Sequence, residues 1–168
     1  MFVLCVDWGG GLMAESNPEE LFNLGMLSYD KQDFSKARKC FEKACDLNNG
    51  RGCGSLGMLY ENDQGVEKNL TKAAQFYTKA CELKEGVGCK DLGALYYYGE
   101  GVEKDLIKAT YFYSKACELK EGVWCGALGG LYYNGDGVKQ DSKKAVALFE
   151  KACKLGLQKA CEMLKILK

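Results

Sequence analysis

Cysteine is the abundant reactive side chain of this sequence, ten of them in 168 residues, and histidine is absent. The cysteines stand at 5, 40, 45, 53, 81, 89, 117, 125, 153 and 161. Eight of them form pairs eight residues apart, Cys45/Cys53, Cys81/Cys89, Cys117/Cys125 and Cys153/Cys161, and each pair begins 36 residues after the last. Metal binding favours tighter spacings and ligands that converge on one point, which a regular C-x7-C series does not offer. The series reads instead as four local disulfides, with buried reduced thiols packed as small apolar residues as the alternative. A bridge closing so short a loop contributes roughly 2.5 kcal/mol in the chain-entropy picture. Bridges in this number imply an oxidising compartment. Cys40 stays unpaired in this scheme, because it precedes Cys45 on the same predicted helix. It reads either as an exposed thiol able to link two chains or as a small packed residue, and Cys5 as an apolar residue of the N-terminal segment. One further pair, Ser28 and Lys31, sets a hydroxyl and an amine one helical turn apart.

The absence of histidine removes Ser-His-Asp and Cys-His catalysis and His-ligated zinc. With 23 basic and 23 acidic residues the formal net charge is zero, so nothing favours nucleic acid or an anionic membrane surface. The composition, 47% apolar and 27% charged, is that of a globular domain, and no stretch approaches the roughly 20 apolar residues of a membrane-spanning helix.

The 36-residue period extends well beyond the cysteines. YTKACELKEGVGC from Tyr77 recurs as YSKACELKEGVWC from Tyr113, and LGMLY, LGALY and LGGLY recur with Gly57, Gly93 and Gly129 in register. Each unit reads as two helices. In the first, Cys89, Leu92, Gly93 and Tyr96 follow the i, i+3, i+4, i+7 spacing of one helical face, and the glycine permits close approach of a neighbour. In the second, Ala73, Phe76, Tyr77 and Ala80 do the same, with Asn69, Asp105 and Asp141 placed as N-caps after glycine turns. A C-x7-C pair then joins the end of one hairpin to the start of the next. The first unit has a shorter turn, Tyr29 to Asp33, which looks like that of a tetratricopeptide repeat. The last twelve residues form a lone amphipathic helix, as a terminal cap should. The expected fold is an all-α, right-handed α-solenoid of helix-turn-helix repeats of about 36 residues. It forms one domain over 15–168, with repeats at about 18–49, 50–85, 86–121 and 122–156 and a capping helix at 157–168. Residues 1–14, MFVLCVDWGGGLMA, read as a truncated or decayed export signal ending in a small residue, without a basic start and interrupted by Asp7.

The pattern KACELxxGxGCxxLGxLYxxGxGVxKDxxKA, at 79 to 109 and with small changes at 115 to 145, resembles the Sel-one-like repeat family, and more narrowly the Helicobacter cysteine-rich proteins. That resemblance implies a secreted α-solenoid, and for some members penicillin binding or weak β-lactam hydrolysis. The residues give that chemistry little support. Serine β-lactamase sites combine S-x-x-K, S-D-N or Y-x-N, and K-T-G around one nucleophile. Here Ser28 and Lys31 supply the first, Tyr132 to Asn134 matches the second, and the third is missing. Ser28 and Tyr132 also lie about three repeats apart, and repeats touch only their neighbours.

The better-supported expectation is a binding scaffold whose first helices line a concave face with Asn62, Asp91, Tyr97, Tyr98, Tyr133 and Asn134, offering stacking and hydrogen bonds. The partner would be a protein, a peptide or a peptidoglycan-like ligand, with a β-lactam as the alternative. Neither a cofactor nor a metal is implied. The expected setting is secreted or periplasmic, the chain a monomer unless Cys40 links two copies; a cytosolic adaptor with reduced thiols is the remaining alternative.

Overall fold

A computed structural model describes Cys5 and residues 17–167. Among the described residues the chain is helical with no strand, and the helices group into two compact units, Met1–Gly88 and Cys89–Lys168, where the sequence reads as one domain. Hairpin repeats bury their apolar faces only against immediate neighbours, so such a chain need not share one core.

The first unit is built from α1 (Pro18–Asp30), α2 (Phe34–Asp46), α3 (Gly50–Glu61) and α4 (Leu70–Glu82), each packed on the next. Every one of these helices starts at a side-chain oxygen that accepts a backbone N–H of its first turn: Asn17 from Glu19, Asp33 from Lys36, Asn49 from Gly52 and Asn69 from Lys72. Such caps satisfy donors that the helix itself leaves orphaned. The apolar faces meet in a core where Leu21, Phe41, Leu56, Leu59 and Tyr77 are essentially inaccessible.

The second unit holds most of α5 (Gly86–Tyr98), then α6 (Leu106–Glu118), α7 (Gly122–Asn134), α8 (Ser142–Lys154) and α9 (Gln158–Leu167). Asp105 and Asp141 cap α6 and α8, each accepting an N–H at 2.9 Å, from Lys108 and Lys144. The turn into α8 runs through Gly135 and Gly137 at φ 79° and 69°, the left-handed region that a side chain makes costly. Tyr113, Leu128, Leu131, Phe149 and Ala152 form the core, and α6 packs on α7, α7 on α8 and α8 on α9.

A glycine facing an aromatic ring sets the register of every hairpin: Gly25 against Phe41, Gly57 against Tyr77, Gly93 against Tyr113 and Gly129 against Phe149. At Gly93 an added Cβ would stand 2.7 Å from the Tyr113 ring, closer than carbon atoms tolerate.

Bridges join Cys45 to Cys53 between α2 and α3, Cys117 to Cys125 between α6 and α7, and Cys153 to Cys161 between α8 and α9. Cys81 and Cys89 are disulfide-bonded as well, and no described cysteine is free. The expectation that Cys40 has no intramolecular partner is overturned: it is bridged to Cys5, at a sequence separation of 35 and with 5.0 Å between their Cα atoms. Neither is a surface thiol, since Cys5 is 1% and Cys40 0% exposed. A link between two chains through Cys40 would first have to open this bridge. Apart from Cys5, the signal-like stretch 1–14 lies outside the described residues.

Candidate binding site

The most chemically varied surface of the second unit gathers around a buried phenol. Tyr113 lies on the core face of α6, where the helical period puts it against Gly93, and only 6% of it is exposed. Its ring stacks on Trp124 of α7, centroids 5.0 Å apart and planes 22° from parallel. Burial, and then the neighbouring Tyr98, Tyr97 and Asp91, push the Tyr113 hydroxyl up to about 12. Three of the residues that the sequence places on the binding face, Asp91, Tyr97 and Tyr98, therefore act electrostatically on one hydroxyl.

Around it the charges are locally balanced. Lys90 Nζ stands 2.5 Å from Asp91 Oδ1 and 5.8 Å from the centre of the Trp124 ring. Tyr97 and Tyr98 meet edge to face at 5.0 Å, and the Lys104 ammonium lies 6.0 Å from the Tyr97 ring. Tyr98 is 66% exposed, although a tyrosine of this size contributes most when covered. The arrangement offers an aromatic edge, a second aromatic face and one hydrogen-bonding ion pair. It suits recognition by stacking and hydrogen bonding.

The other residues chosen from sequence do not join this cluster. Asn62 is the exposed C-cap of α3 in the first unit. At the end of α7, Asn134 donates from Nδ2 to Asp136 at 3.3 Å, and the Tyr133 carbonyl accepts from Gln140 at 2.7 Å, so both stabilise the following turn. Trp124 and Tyr113 were not chosen. Tyr113 reads as an ordinary core position, but Trp124 carries a legible signal: it breaks the repeat, standing where the earlier copies have Gly52 and Gly88.

A second feature recurs along the chain. The tyrosine of each LGxLY stretch lies under the lysine twelve residues on: Tyr60 with Lys72 at 5.3 Å, Tyr96 with Lys108 at 5.0 Å and Tyr132 with Lys144 at 4.2 Å from ring centre. Open clefts of about 670 Å³ and 430 Å³ lie beside Tyr132 and Tyr96.

The acyl-transfer residues are placed unfavourably. Ser28 is 5% exposed and its hydroxyl donates to the Leu24 carbonyl at 2.9 Å, a back-bond along its own helix that occupies its proton. Lys31 is the exposed cap of α1. Tyr132 Oη accepts from Lys144 Nζ at 2.8 Å. Among the described residues no group of three or more His, Cys, Asp or Glu side chains could hold a metal ion.

Capped hairpins with an invariant packing register define an all-α solenoid of helix-turn-helix repeats. Residues 52–85, 87–121 and 125–157 match the Sel1 repeat, and residues 18–51, with the shorter turn, match the tetratricopeptide repeat. The chain belongs to the Sel1 repeat family. Among curated proteins, HcpC of Helicobacter pylori strain J99 is 61% identical over 61 residues, 36% of this chain and 21% of HcpC. HcpA of the same strain is 53% identical over 60 residues, 36% of this chain and 24% of HcpA. Both carry β-lactamase names, and the matched stretch spans less than a quarter of either. Of solved structures, a protective antigen of uropathogenic Escherichia coli with an SLR fold superposes at TM-score 0.85, 28% identical over 88% of this chain and 32% of its own. The Helicobacter pylori cysteine rich protein B superposes at 0.61, 39% identical over 90% of this chain and all of its own.

Proposed function

We propose that this is an extracytoplasmic scaffold that binds a protein or peptide through the second unit's aromatic cluster, with Tyr98, Trp124 and the Lys90–Asp91 pair as contacts. The exposure of Tyr98 carries the reading: it is 66% accessible yet met edge to face by Tyr97, an oriented ring open to a partner. Stacked hairpins commonly present such residues to extended partners, and tyrosine contributes contact area at low entropic cost. A peptidoglycan fragment with its attached peptide would engage the same groups. The compartment follows from the bridges, since thiols of cytosolic proteins are kept reduced. The chain acts as a monomer, with Cys40 already engaged.

The test uses a displayed peptide library selected on the oxidised protein. Selected peptides should bind the Tyr98→Ala variant at least about tenfold more weakly and Asn62→Ala unchanged, a hot-spot loss of ~1.4 kcal/mol or more. Equal affinity for parent and Tyr98→Ala would move the partner elsewhere.

The names of HcpA and HcpC favour a second reading, slow hydrolysis of β-lactams. Any hydrolysis of a chromogenic cephalosporin should survive Ser28→Ala, because the Ser28 proton is directed at a carbonyl. Loss of turnover in that variant would establish a serine mechanism.

A further inference from the structure

Each later hairpin fills one slot between its helices with a pair of large side chains. Tyr60 faces Phe76 and Tyr96 faces Phe112, the rings stacked with centroids 5.5 Å and 5.7 Å apart. The equivalent residues of the last hairpin are Tyr132 and Leu148. In the first hairpin the register is fixed by Gly25 against Phe41, and LGMLS stands where the next copy has LGMLY. The same slot is therefore occupied by Ser28 and Cys40. The backbone agrees, for an added Cβ on Gly25 would meet the Cys40 Cβ at 3.2 Å, much as one on Gly93 would meet the Phe112 Cβ at 3.4 Å.

Two small residues in place of a tyrosine and a phenylalanine should leave a gap open to water. Phe76, Tyr96 and Phe112 stay partly exposed even at full size. Yet Ser28 is 5% exposed, Cys40 0%, and Cys5, bonded to Cys40, 1%. The gap is filled, and Cys5 is covalently in it.

We propose that the Ser28/Cys40 slot is a covalent docking site for the chain's own Cys5, which takes the place of the aromatic pair used by the two middle hairpins. The bridge holds Cys5 on α2 whether or not the backbone between Cys5 and Asn17 is continuous. A peptidase cut after Ala14 therefore leaves residues 1–14 attached. Release requires a dithiol: one thiolate attacks the Cys5–Cys40 bond and forms a mixed disulfide, the second resolves it, and two cysteine thiols and an oxidised dithiol result.

The first arm introduces a specific protease site at Glu15 and Ser16 and cuts the oxidised full-length protein. Its mass without reductant should be that of the whole chain plus one water, and dithiothreitol should split it in two. Release of the segment without reductant, or a peptide map joining Cys5 to another cysteine, overturns the proposal. The second arm compares thermal unfolding of Cys5→Ser/Cys40→Ser with that of Cys5→Ser/Ser28→Tyr/Cys40→Phe. Restoring the aromatic pair should raise the midpoint by several degrees, and a triple variant melting at or below the double shows that the slot is not the aromatic one. The first arm leaves the slot unaltered, so it decides the question even where a variant fails to fold.

Discussion

Gly93 and Gly130 both sit mid-helix, yet a single methyl group should act on them in opposite directions. At Gly93 it would collide with the Tyr113 ring, so Gly93→Ala should cost about 1–3 kcal/mol through overpacking. At Gly130 nothing lies within 4 Å. There alanine should stabilise by about 0.5–1 kcal/mol, because it restricts the unfolded chain and favours helix. Urea unfolding midpoints of the two variants should straddle that of the parent. Tyr113 makes a second prediction. Its hydroxyl is raised to about 12, so the neutral form is favoured in the folded state. That contribution is complete below the ordinary phenol value and is lost as pH rises from about 10 through about 12. One tyrosine should ionise late in an absorbance titration, and Tyr113→Phe should remove that late step and flatten the loss of stability at alkaline pH. A tyrosine whose titration depends on three residues of another helix cannot be picked out by spacing alone, so the link of Tyr113 to Asp91, Tyr97 and Tyr98 was not legible in the sequence.

Helix starts were the most readable elements, because a cap needs only one residue type at one position. Asn69, Asp105 and Asp141 each accept the expected bond. Asp141→Ala should cost about 1 kcal/mol, seen as a shift of the denaturant midpoint at unchanged slope. The hairpins were readable for a similar reason, since the 3.6-residue period and the glycine turns are local signals. The Cys5–Cys40 bridge was not, because it depends on which side chains fill a slot between two helices, and that is visible only when hairpins are superposed. Helix α9 depends most on a bridge. Ala160 is its only buried residue, and Cys153–Cys161 ties it to α8. Cys153→Ser/Cys161→Ser should leave most of the helical circular dichroism intact while making 158–167 the first site of limited proteolysis. Cleavage elsewhere first would show that packing alone holds α9.

Over the whole chain, stability is distributed among many short-range contributions. The three bridges seen between successive helices each close a separation of eight residues and contribute roughly 2.5 kcal/mol, so full reduction should lower the unfolding midpoint far more than any single substitution. Alkylation of protein taken from its native cell without reduction should modify none of the described cysteines; labelling of all would place the chain in a reducing compartment. The glycine-against-ring contact recurs unchanged from Gly25/Phe41 to Gly129/Phe149, and the stretches between consecutive hairpins, KACELKEG at 79–86 and again at 115–122, are identical. A loss or gain of 36 residues with both ends inside these stretches would rejoin KACELKEG to itself and leave a glycine-against-ring contact in each hairpin that remains. Length in such a chain is therefore counted in whole hairpins, 36 residues at a step.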